Sequence, residues 1–224
     1  MAQLGLCSRL VNFFGHAFVA AWFSNVPEFV LGAMLPDFAT MVGARLPVVS
    51  SASVQAGVEL HHRTDEIFHS SVCFKRLERE AYASLRASGV RHGPSRGVAH
   101  VGIELLLDAE LARQNEAACR AYVEALEAAR LRGGAELLRW GSQTVALRFE
   151  ALRCLLLRHR FRFREREAEL TAARLERILQ GRPRLALDSS EVSRVVAWVN
   201  EAEVEVSRYS EQLLKDLRQR LEAG

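Results

Sequence analysis

The last segment of the chain, EVSRVVAWVNEAEVEVSRYSEQLLKDLRQRLEAG (191–224), repeats apolar residues at helical spacing. Val195, Val196, Val199, Val206, Tyr209, Leu213, Leu214, Leu217 and Leu221 form one such series. Spacings of three and four residues put these side chains on one stripe of an α-helix, with charged residues on the other. No glycine or proline interrupts the pattern. A helix this long buries its stripe against other helices, so the segment points to a helical bundle.

The rest of the chain agrees. Strand signals are nearly absent, and long stretches are rich in Ala, Leu, Glu and Arg, which are strong helix formers. Loop composition marks Ser88–Gly97 (SGVRHGPSRG) and Gly181–Ser190 (GRPRLALDSS), with Ser189 or Ser190 as cap of the last helix. A helix starts near Glu116 and ends at Gly133-Gly134, and Pro27, Pro36 and Pro47 divide the first fifty residues into short helices. The expected fold is all-α, a compact single domain over residues 1–224 with about eight helices. No repeat, low-complexity tract or composition shift divides it.

With 224 residues and 49% hydrophobic content, the chain can build a sizeable core. A formal net charge of +3 means that attraction to an acidic partner has to come from a local patch. The four cysteines, Cys7, Cys73, Cys119 and Cys154, are scattered and read as reduced, mostly buried thiols of a cytoplasmic protein. Leu10–Ala21 is apolar, but it is interrupted by Asn12 and His16 and lacks a small-x-small cleavage pattern. Neither a signal peptide nor a membrane span is expected.

The candidate chemistry lies in two rows at four-residue steps. Gly57, His61, Asp65 and His69 share one helix face, with the small Gly57 leaving room beside His61. A His and an Asp four apart offer one nitrogen and one oxygen to a divalent ion, a set suited to Mn, Fe, Zn or Co. The plain alternative is a surface ion pair. His100, Glu104 and Asp108 form the second row, beside Leu105, Leu106 and Leu107. Carboxylates in so apolar a helix are costly to bury unless paired, protonated or cation-bound, which singles out Glu104 and Asp108. His16 and Asp37 also sit in apolar settings. His16 reads as a ligand or a hydrogen-bonded core histidine, and Asp37, after Pro36, as a site residue or a helix N-cap. His62 faces another way, and His92 reads as a solvated loop residue.

The blocks NFFGH (12–16), LPDF (35–38), GVELHHRTD (57–65) and GIELLLDAEL (102–111) resemble, in order and spacing, those of the acyl carrier protein phosphodiesterase family. ILQGRPRLAL (178–187) and the long helix after it resemble the family's tail. The resemblance implies an HD-hydrolase-like helical fold and a Mn²⁺-dependent phosphodiester hydrolase, with Mg²⁺, Fe²⁺ or Zn²⁺ as other candidate ions. Its substrate is holo acyl carrier protein, from which 4'-phosphopantetheine is released. The candidates it carries over are His16, Asp37, His61, Arg63, Asp65 and Asp108. The expected metal ligands are His61, Asp65, Asp108 and either His16 or Asp37, and Arg63 clamps phosphate or pairs with a nearby Asp or Glu. Glu104 is a ligand, an orienting group or a general base, and His69 and His100 are possible additional ligands. The chain departs from the family at His69 and Glu104, where the family has Asp, and at Ala109, where it has His.

Three further readings remain open: an HD-type hydrolase of a nucleotide or small phosphate ester, a non-catalytic relative of the family, and a nucleic-acid-binding module. The last rests on the run Arg158–Arg166, where Phe161 and Phe163 alternate with arginines but no nucleic-acid motif is present. On a helix, Arg158, Arg162 and Arg166 align as a ridge that suits an acidic acyl carrier protein. They also suit a solvated face paired with Glu165, Glu167 and Glu169.

Overall fold

A computed structural model describes residues 13–130, 137–159 and 167–223. Among them are nine helices and one two-residue strand pair, so the all-α class holds. The helices are α1 (Phe14–Ala20), α2 (Pro27–Met41), α3 (Ala52–Ser70), α4 (Val72–Ala87), α5 (His92–Gln114), α6 (Glu116–Ala128), α7 (Gln143–Arg158), α8 (Ala168–Gln180) and α9 (Ser189–Ala223). Strands β1 (Val48–Val49) and β2 (Leu138–Arg139) pair antiparallel, Val48 opposite Arg139. No helix among the described residues is long and apolar enough to cross a membrane.

The described residues form two packing units: 13–65, 111–130 and 137–159 in the first, 66–110 and 167–223 in the second. The first is built on aromatic contacts. Phe13 stacks on Tyr122 with ring centroids 5.8 Å apart, Phe14 meets the same ring edge-on, and Phe38 bridges Phe13 and Phe149. These contacts join α1, α2, α6 and α7 through rings of large apolar area. In the second unit α9 packs on α4 and α8. Val195, Val199, Val206, Leu213, Leu217 and Leu221 are buried as the periodicity requires, and Trp198 and Ala202 join them.

Several local expectations are corrected. Pro36 lies inside α2 and does not end it, whereas Pro27 occupies the first turn, where a missing N–H costs nothing. The carbonyl that Pro36 leaves without a helical donor is that of Gly32. Asp37 is therefore a helix-interior residue, and the N-cap position of α2 belongs to Val26. Residues 92–97 are helical, because Pro94 falls in the first turn of α5, and His92 opens that helix with its Nδ1 2.8 Å from the Tyr82 hydroxyl. Helix α6 stops at Ala128; Gly133 and Gly134 lie outside the described residues, as do Arg160–Arg166 of the arginine ridge and Cys7. Of the three described cysteines, all free thiols, only Cys119 is buried, while Cys154 is exposed.

The last helix is capped by Asp188, not by Ser189 or Ser190. Asp188 Oδ1 accepts from the Ser190 and Glu191 N–H groups, and Glu191 Oε2 accepts from the Asp188 N–H, a reciprocal capping box. Glu191 is buried (1% exposed) and also accepts from the Arg91 backbone and guanidinium. Burial alone would raise its carboxyl, but Arg91 and the two backbone N–H groups hold it below its ordinary value.

Helices α2 and α3 meet backbone to backbone at two glycines. A Cβ on Gly57 would lie 2.1 Å from the Phe29 carbonyl oxygen, and one on Gly32 would lie 2.1 Å from that of Val54. The space beside Gly57 is thus filled by α2 rather than left open next to His61. Gly57→Ala should destabilise the protein by at least about 2 kcal/mol in urea unfolding, since the added methyl meets main chain that cannot rotate away.

For Glu191, a folded-state value below the ordinary 4.5 means stability that is complete above pH 4.5 and is lost as pH falls through the folded value. Glu191→Gln should therefore lower the thermal midpoint most near neutral pH. Its deficit against the parent should shrink as both are acidified below pH 4.5.

Candidate metal centre

Each ligand candidate of the first unit comes from a different stretch of sequence. His16 lies in α1, where every residue but Gly15 is buried. Asp37 follows Pro36 in α2, one turn beyond Ala33. His61 lies one turn beyond Gly57 in α3, and Asp65 one turn further. The glycine contact brings α3 close enough to α2 for His61 Nδ1 to sit 2.9 Å from the Ala33 carbonyl oxygen.

That hydrogen bond decides the tautomer. A carbonyl oxygen only accepts, so Nδ1 carries the proton and Nε2 of the neutral ring keeps its lone pair. His61 is 5% exposed, and burial pushes its imidazole below its ordinary value even though the Ala33 carbonyl and the Asp65 charge pull it up. At neutral pH the ring is uncharged, with Nε2 ready to donate to a metal and Nδ1 anchored to the main chain. An anchored second nitrogen of this kind orients metal-binding histidines generally.

The His16 ring lies 3.9 Å from that of His61, centroid to centroid. His16 Nε2 is 3.8 Å from Asp37 Oδ2 and 3.8 Å from Asp65 Oδ1. Ligand atoms of His16, Asp37 and His61 all lie within 4.8 Å of one another. Two donors bound to one ion at about 2.1 Å are roughly 3–4 Å apart, so shifts on the order of 1 Å would close this set around a cation. Two imidazoles and the Asp37 carboxylate, with Asp65 beside His16, match borderline divalent ions. Asp65 is about half exposed (47%) while His16 is 6% exposed, so the group is closed on its inner side and open beside Asp65.

Comparison with protein-family models, curated proteins and solved structures finds no match to the chain.

The second unit gathers a different group. Ligand atoms of His69, His100 and Glu104 also fall within 4.8 Å of one another. His69 and His100 stack at 5.1 Å with ring planes 14° apart. His100 Nδ1 lies 3.0 Å from Glu78 Oε1 and its Nε2 3.3 Å from Glu104 Oε1, while His69 Nε2 is 3.7 Å from the same oxygen. Both nitrogens of His100 thus face carboxylate oxygens. This imidazole–carboxylate network offsets the burial of Glu104 (3% exposed) without an ion, whereas in the first unit an anchored His61 leaves a nitrogen for one. Of the two groups, the first is better built for a metal.

The remaining candidates separate. Asp108 is buried in α5 and belongs to neither three-residue group among the described residues. Arg63 is exposed on α3, as is His62, whose ring meets that of His61 edge-on. One participant carried no clear sequence signal. Glu78 stands in α4 next to the buried Leu77, among other charged residues of that helix, and nothing in its neighbourhood marks it as the partner of His100.

Titration with Mn²⁺, followed by calorimetry or by the thermal midpoint, should show binding that Asp65→Ala and His61→Ala each abolish. The loss should exceed the roughly 10–100-fold cost of removing an outer hydrogen-bond partner. Retention of parent-level affinity by both variants would remove this assignment.

Proposed function

We propose that the protein is a metal-dependent phosphodiester hydrolase of the kind its sequence resembles, releasing 4'-phosphopantetheine from holo acyl carrier protein. The observation that carries the reading is the convergence of His16, Asp37, His61 and Asp65 from three helices. Three of the sequence blocks behind the resemblance each contribute a side chain to that one group.

His61, neutral and anchored through Nδ1, presents Nε2, and His16, Asp37 and Asp65 complete the donor set. A divalent ion bound there lowers the pKa of its water to near neutrality and polarises a phosphoryl oxygen. Burial of His16 and His61 excludes bulk water from the inner side, and the exposed flank at Asp65 is where a phosphodiester approaches. Arg63, two residues from both His61 and Asp65, offers a guanidinium to phosphate oxygens from the exposed part of α3. Glu104 has no role in this scheme: it serves as the carboxylate partner of His69 and His100.

The alternative substrate class is a nucleotide or small phosphate ester, which the open flank at Asp65 would also admit.

Intact-mass measurement of holo acyl carrier protein, incubated with this protein and Mn²⁺ and with a chelated control, separates the two. Loss of the phosphopantetheine arm only with metal is the expected result. An unchanged mass together with metal-dependent hydrolysis of small phosphodiesters would transfer the activity to the alternative.

A further inference from the structure

The second unit contains a concave site with an excess of positive charge. Its walls are the start of α5 (His92, Gly93, Arg96, His100), Glu78 of α4 and the loop after α8 (Arg182, Arg184). Three arginines and one carboxylate line it, and that carboxylate is already hydrogen-bonded to His100. No ion pair joins Arg96, Arg182 or Arg184 to an acidic residue among the described residues. This sets them apart from Arg76, Arg91 and Arg153, each of which has a carboxylate partner. Clustered cations cost energy through mutual repulsion, and a solvated surface would ordinarily space or pair them.

The frame that carries these arginines is held from several sides. The Leu185 N–H donates to the Arg182 carbonyl at 2.7 Å and the Ala186 N–H to the same oxygen at 3.0 Å, which folds Arg182–Ala186 into a turn. The turn is seated on α5 at Gly93, where a Cβ would lie 1.9 Å from the Arg184 carbonyl oxygen. Behind it, Arg91 donates to the Ala186 carbonyl and pairs with Glu191. The loop therefore gives up little conformational freedom when a ligand arrives. Three forked donors on a fixed frame match the oxygens of a phosphate, which guanidinium groups bind bidentately. The N-terminus of the 23-residue α5 adds a favourable field for an anion at the same spot.

We propose that this cleft binds the phosphate of a small phosphorylated ligand through Arg96, Arg182 and Arg184. The site uses residues of the second unit alone, requires no metal and presupposes no hydrolysis. It therefore stands or falls independently of the His16–Asp37–His61–Asp65 centre. A volume of about 580 Å³ accommodates a ligand larger than inorganic phosphate, so the phosphate is one end of a bigger molecule. His100 and Glu78 lie at the same cleft and present hydrogen-bonding groups to its remainder.

The test is calorimetric titration of the chelated full-length protein with inorganic pyrophosphate. The parent should bind saturably. R182Q/R184Q should weaken binding by roughly 10-fold or more, because charge-assisted hydrogen bonds are lost, and Arg96→Gln should weaken it separately. All three positions are exposed and neutralising them relieves repulsion, so the variants should not fall below the parent's thermal midpoint. His16→Ala, in the other unit, should leave pyrophosphate binding unchanged while removing Mn²⁺ binding. Absence of saturable binding by the parent, or a parent-like Kd for R182Q/R184Q, overturns the proposal. Tight capture of a single-stranded RNA oligomer that pyrophosphate does not displace overturns the small-ligand class.

Discussion

The candidate metal centre depends on two residues that have no side chains. Gly32 and Gly57 let α2 and α3 touch through their main chains, and only at that separation does the Ala33 carbonyl come within 2.9 Å of His61 Nδ1. One turn along α2 from Ala33 stands Asp37, and one turn along α3 from His61 stands Asp65. The helical repeat thus carries the geometry of the crossing into the donor set. Pro36 fits the same arrangement. It deprives the Gly32 carbonyl of its usual helical donor in the segment where α2 is pressed against its neighbour.

Both units bury histidines with carboxylates, and each balances the cost differently. In the first, desolvation holds His61 neutral and the main chain takes one of its nitrogens, leaving an uncharged donor beside two carboxylates. That balance favours a cation. In the second, His69 and His100 meet the oxygens of Glu78 and Glu104 directly, so the buried carboxylate has its partners within the protein. The unbalanced charge there is positive and lies in the cleft walled by Arg96, Arg182 and Arg184, which favours an anion. The same residue types give opposite preferences because of which atoms face each other.

Much of this was legible in residue order. The periodicity of residues 195–221 specifies a long helix buried along one stripe, and the structure buries that stripe. The four-residue steps His61–Asp65 and His100–Glu104 specify shared helix faces. The apolar neighbours of Glu104 and Asp108 specify burial, and both are buried. Where local reading erred, the cause was usually a residue acting outside its commonest setting. Pro36 was accommodated within a helix, Pro94 started one where the composition suggested a loop, and Asp188 took the cap from Ser189 and Ser190 because its carboxylate reaches two backbone N–H groups and Glu191 answers it.

The sequence alone therefore determined the helical class, the buried stripes and the list of side chains able to bind a metal, because these follow from spacings of three and four residues along a single helix. Tertiary structure alone decided which of them stand together. Across helices it brought His16 and Asp37 to the His61–Asp65 face, and it set His69 of α3 beside His100 and Glu104 of α5. It also recruited Glu78, which no local pattern marks, and set Arg182 and Arg184 beside Arg96 from some 90 positions away. The physical reason is that such pairings depend on how closely two helices approach, and that distance is set by glycines and backbone carbonyls whose partners lie far off in the chain.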